Sequence, residues 1–168
     1  MPRSETSDRL ANAYEDGLRR ALGLDDRALV RVAGSFGLDA TCAPLVAWIP
    51  TIELAWHRGL TDGERERILK LVYERHGVLG ARAEVLLHEW LARRPPDALF
   101  RTARRVLRAQ LANLPPHERP AVRARVIGPC ATVAEVSGGF LGFGAVSADE
   151  QVWLLALADD LRLPDELI

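Results

Sequence analysis

Glu53 and His57 stand four residues apart in a stretch of helical character, a spacing that lets two side chains meet on one helix face. With Glu64 across the following turn, they offer the imidazole and carboxylate donors that a borderline cation such as zinc accepts. Glu150, at a matching position further along, completes the candidate metal set. The simpler chemistry is a surface ion pair, with His57 near a helix C-terminus where the dipole favours a cation. Donors become a metal site only if they converge, and spacing alone does not show that.

Other catalytic patterns start and then fail. His88-Glu89-Trp90-Leu91-Ala92 opens like a zincin helix, but Ala92 stands where the second histidine must be. The run Gly138-Gly139-Phe140-Leu141-Gly142-Phe143-Gly144 is glycine-rich without the spacing of a dinucleotide loop, and no Gly-Lys-Ser/Thr follows it. No nucleophile elbow and no Cys/His pair of recognisable spacing occurs. The expectation is a protein that is not an enzyme and needs no cofactor.

Charge is segregated along the chain. Residues 93–130 hold nine arginines against Asp97 and Glu118, whereas residues 131–168 hold Arg162 against seven acidic residues. Arg101, Arg104, Arg105 and Arg108 recur at i, i+3, i+4 and i+7, opposite an apolar face that includes Leu99, Ala103, Val106 and Leu107. A solvated outer face, partly neutralised by the acidic C-terminal segment, accounts for this pattern. The sharper reading is an electropositive strip for an acidic protein partner or an anionic membrane surface, with Phe140 and Phe143 as an apolar tip beside it. Net charge is −1, and no aromatic residue interleaves with the arginines between Arg101 and Arg108, so sequence-specific nucleic-acid binding is not expected.

The elements that must position these residues are helical throughout. Leu45, Ile49, Ile52 and Trp56, and likewise Ala83, Leu86, Leu87, Trp90 and Leu91, recur at helical spacing. Helices are predicted over 9–22, 25–36, 43–58, 62–76, 80–93, 97–113, 117–137 and 148–162, punctuated by Gly37, Gly77, Pro95-Pro96 and Pro115-Pro116. The fold class is therefore all-α, a single-domain bundle of seven or eight helices over residues 9–168, with residues 1–8 as a disordered tail. The longest uncharged apolar stretch, Cys42 to Ile52, falls well short of the roughly 18 residues that a membrane span needs. With no apolar leader at the N-terminus, a cytoplasmic location is the expectation. Cys42 and Cys130 sit in apolar stretches without CxxC spacing and read as small buried hydrophobes.

Two helix starts look like copies. Leu60-Thr61-Asp62-Gly63-Glu64 and Val146-Ser147-Ala148-Asp149-Glu150 each carry an apolar residue, a hydroxyl N-cap and a glutamate at N3, the arrangement of a capping box. Ala55 through Glu64, and Ala134 through Glu150 lengthened by the Gly/Phe loop, resemble the repeated motif of the TerB-like proteins, an all-helical family named for tellurite resistance. The resemblance implies two pseudo-repeated helix-turn-helix units, an association with stress-response systems near the membrane, and an acidic surface able to bind a divalent cation. The family's aspartate is His57 in the first copy and Ser137 or Phe143 in the second, and calcium needs six or more oxygens, so a calcium-type site is not expected to survive. The expected function is that of a non-catalytic helical interaction module, the alternative being a divalent-metal- or anion-responsive binding domain.

Overall fold

The computed structural model describes residues 5–137 and 146–166. Among these residues there are eight α-helices and no strand: α1 (Glu5–Leu22), α2 (Arg27–Ser35), α3 (Ile49–His57), α4 (Asp62–His76), α5 (Ala81–Ala92), α6 (Asp97–Ala112), α7 (Arg119–Ser137) and α8 (Ala148–Asp160). Two 3₁₀ segments, Ala40–Trp48 and Pro164–Glu166, complete the order. Buried apolar side chains form one cluster drawing on every helix, from Leu18 of α1 through Ile52, Ile68, Leu87, Leu107 and Val133 to Leu157 of α8. Central to it is α7, which takes α3 and α4 on its surface and packs also against α8. No single helix among the described residues is long and apolar enough to cross a membrane.

Two boundaries differ from the sequence expectation by more than two residues. The stretch predicted as one helix over 43–58 is a 3₁₀ segment to Trp48 and an α-helix from Ile49. Pro50 explains the change of pitch: it has no N–H for the Val46 carbonyl, so Ile49 donates to that carbonyl in the 3₁₀ manner instead. Asp39 starts the segment by accepting from the backbone of Thr41 and Cys42. At the N-terminus, residues 5–8, expected as part of a disordered tail, form the first turn of α1. No proline or glycine interrupts them, and Ser7 and Asp8 suit the exposed N–H groups of a helix start.

Both repeated helix starts are capping boxes. Thr61 Oγ1 accepts from the Glu64 N–H at 3.2 Å while Glu64 Oε2 accepts from the Thr61 N–H at 2.8 Å. Ser147 and Glu150 make the same reciprocal pair at 3.3 and 2.9 Å. Thr61→Ala and Ser147→Ala are each expected to lower stability by about 1 kcal/mol, as cap losses do. Chemical denaturation with an unchanged slope checks this, and variants as stable as the parent would remove the caps from the stabilising interactions.

A second network ties α4 to α7. Pro129, inside α7, cannot donate to the Arg125 carbonyl one turn before it. Arg75 of α4 fills the place, its Nη1 donating to that carbonyl at 3.1 Å. The same guanidinium lies over the Trp48 ring, 4.5 Å from its centroid. Trp48, almost fully buried, donates its indole N–H to His76 Nε2 at 2.9 Å. The bond requires neutral His76, and burial together with the Arg75 charge pushes its pKa below the ordinary histidine value.

That displacement fixes a sign. Below about pH 6.5 the unfolded chain takes up a proton that folded His76 resists, so stability falls as pH drops through this window. Thermal midpoints at neutral and mildly acidic pH should therefore separate more for the parent than for His76→Gln, which keeps an acceptor for Trp48 and cannot titrate. Equal separations would show that His76 does not contribute.

Candidate functional site

Helix α6 follows Pro95-Pro96, whose rings cannot continue α5 and whose fixed geometry suits a helix start. It buries Leu99, Phe100, Ala103, Val106, Leu107 and Leu111, which turns the arginine row outward. An open cleft of about 560 Å³ runs along that row, with Glu53 of α3 and Asp160 of α8 on its walls.

The row is not uniform. Arg101, Arg105 and Arg108 are exposed and line the cleft. None of the three forms an ion pair with a described residue. Arg104 points inward instead: its Nη2 lies 3.0 Å from Glu53 Oε2 and its Nη1 2.5 Å from Asp160 Oδ2. Its guanidinium also lies 5.4 Å from the Trp153 ring centroid. Burial works against its charge, but Glu53 and Asp160 outweigh that and raise its pKa above the usual arginine value. The expectation that Arg104 belongs to a free strip is thus corrected; it joins α3, α6 and α8 as a structural ion pair.

The basic and acidic halves of the sequence meet in the same way at the C-terminus. Arg119 and Arg123, one turn apart on α7, hold Asp165 at 2.7 Å and Glu166 at 2.5 Å. Glu166 also accepts from the Leu163 N–H at 2.8 Å, and the Arg123 and Leu163 bonds hold its carboxyl below the ordinary range. Among the described residues, ion pairs hold Arg94, Arg104, Arg119 and Arg123 of the basic stretch, and Arg101, Arg105 and Arg108, like Arg93 and Arg125, form none.

The proposed metal ligands stay apart. Glu53 is occupied by Arg104, Glu64 and Glu150 face their own caps, and His57 is exposed at the end of α3. Among the described residues no group of three or more His, Cys, Asp or Glu side chains is arranged to hold a metal ion. Competition explains the outcome, since an arginine that neutralises and hydrogen-bonds Glu53 removes the donor that spacing had paired with His57. Phe140 and Phe143 lie outside the described residues, as do the glycines around them.

One side-chain cluster lacked a sequence signal. Tyr73 of α4 donates to Glu84 of α5, and His88 Nε2 lies 3.3 Å from the same carboxylate oxygen. The Glu84 bond is the main reason the Tyr73 pKa is raised. His88, the residue that begins the zincin-like pattern, thus finds its partners one turn back and on a neighbouring helix. Both cysteines are free and buried, and burial pushes the Cys130 thiol up to about 12, which leaves it unreactive. Compared with known proteins, the chain matches no family model, no curated protein and no solved structure, so the geometry of the α6 cleft carries the functional reading.

Proposed function

We propose that the protein is a non-catalytic interaction module that presents the α6 face to an acidic protein partner. The observation behind this is the set of three exposed guanidiniums, Arg101, Arg105 and Arg108, that form no ion pair with a described residue along an open cleft, whereas Arg104 between them is held by Glu53 and Asp160. Unneutralised like charges on one helix face repel one another, and an acidic partner relieves that repulsion. The resemblance of its two capped helix starts to TerB-like proteins adds a stress-associated role to the same proposal.

Retention on immobilised poly-glutamate tests it. The parent chain should be held at low salt and released at high salt, while Arg101→Glu/Arg105→Glu/Arg108→Glu should pass through. Equal retention of parent and variant, or none for either, overturns the reading. Salt-sensitive binding to phosphatidylserine vesicles without poly-glutamate retention would assign the face to a membrane surface instead.

A further inference from the structure

Resting on that reading, we infer that the partner contributes a tight turn with two adjacent carboxylates, docked across Arg101 and Arg105. The chain contains its own template for such a contact. Arg119 and Arg123 are i and i+4 on α7, and the adjacent Asp165 and Glu166 of the 3₁₀ turn Pro164–Glu166 bridge them. The turn is pre-shaped, because Glu166 also accepts from the Leu163 N–H and Leu163 is buried beside it. Arg101 and Arg105 repeat the i, i+4 spacing on α6, one helical turn or about 6 Å of rise apart, and Arg108 extends it.

The surroundings select this ligand over denser polyanions. Glu53, Asp97 and Asp160 line the same cleft. Arg104 holds Glu53 and Asp160, and Arg94 holds Asp97. Of the arginines lining the cleft, three, Arg101, Arg105 and Arg108, form no ion pair with a described residue, fewer cations than a phosphate backbone or a sheet of anionic headgroups brings charges. A compact turn brings two charges to two guanidiniums. Phe100, the aromatic residue of the cleft, is buried and offers no face for a stacked base.

The probe is a fluorescein-labelled peptide copying residues 159–166, Asp-Asp-Leu-Arg-Leu-Pro-Asp-Glu, titrated with the full chain at low salt. Fluorescence anisotropy should show saturable binding. Arg101→Gln/Arg105→Gln in the protein, or Asn and Gln in place of the last two carboxylates of the peptide, should each weaken it roughly tenfold or more. Because both arginines are exposed, the variant keeps its fold, and circular dichroism verifies that. Binding unchanged by Arg101→Gln/Arg105→Gln overturns the inference, since the peptide would then be exchanging with the chain's own turn or sitting elsewhere. Equal binding of a peptide with the same composition but separated carboxylates overturns it too. Retention on poly-glutamate alongside no peptide binding removes the paired-carboxylate turn and leaves the interaction-module reading; loss of both removes both.

Discussion

Arg104→Met is expected to lower stability by about 2–3 kcal/mol, with roughly 5–10 °C off the thermal midpoint for a domain of this size. Three losses combine. Glu53, whose side chain is 20% exposed, keeps its charge with no partner, the costly half of a broken buried pair. Trp153 loses a cation from its face. Asp160, half exposed, rehydrates and contributes little. Adding Glu53→Gln should recover a substantial part of the loss, because it removes the stranded charge. Arg101→Met, Arg105→Met and Arg108→Met should each stay within about 0.5 kcal/mol of the parent, as open surface positions do. If all four single variants melt alike, Arg104 belongs with the open row after all.

The larger expected effect lies in the core. Trp48→Ala should cost about 3–5 kcal/mol, since it empties a volume enclosed by the 3₁₀ segment, α4 and Arg75 and also removes an indole donor. Trp48→Phe separates the two contributions. It keeps most of the apolar area, leaves His76 Nε2 without its donor, and should cost about 1–2 kcal/mol. A companion pair probes the proline gap. Arg75→Met leaves the carbonyl of exposed Arg125 to water, and adding Pro129→Ala supplies the missing helical donor, so the double variant should be more stable than Arg75→Met alone. Urea denaturation of the four proteins measures all of these. A Trp48→Ala protein as stable as Trp48→Phe would show that the indole is not packed as described.

How far the sequence could be read depended on whether the interaction was local. Thr61 with Glu64 and Ser147 with Glu150 are three residues apart, so their spacing announced both capping boxes without reference to any tertiary contact. Periodicity likewise located the helices, because burial on one face leaves a 3.6-residue signature whatever the neighbour is. Arg104 was misread for the opposite reason. Its partners lie 51 and 56 residues away, and nothing in the local pattern distinguishes it from Arg101, Arg105 and Arg108. Glu53 and His57 illustrate the same limit: spacing permits a pair, and a distant arginine claims one member. The gap that Pro129 leaves inside α7 went unread, because the donor that fills it, Arg75, depends on how α4 meets α7.

The central place of α7 has a consequence during synthesis. Thr51 of α3 meets Cys130 of α7, 79 residues later, at 3.3 Å in the buried centre of the molecule. At ribosomal rates of roughly 5–20 residues per second, that interval is about 4–16 seconds in which α3 has been made and its covering helix has not. Ile49, Ile52 and Leu54, all buried in the finished fold, wait through it. Helices α4 to α6 can form meanwhile, because their hydrogen bonds are local, yet the core closes only when the last third of the chain arrives. A nascent chain stalled before α7 is therefore a set of helices with an exposed apolar seam, the kind of surface that chaperones bind and proteases clear.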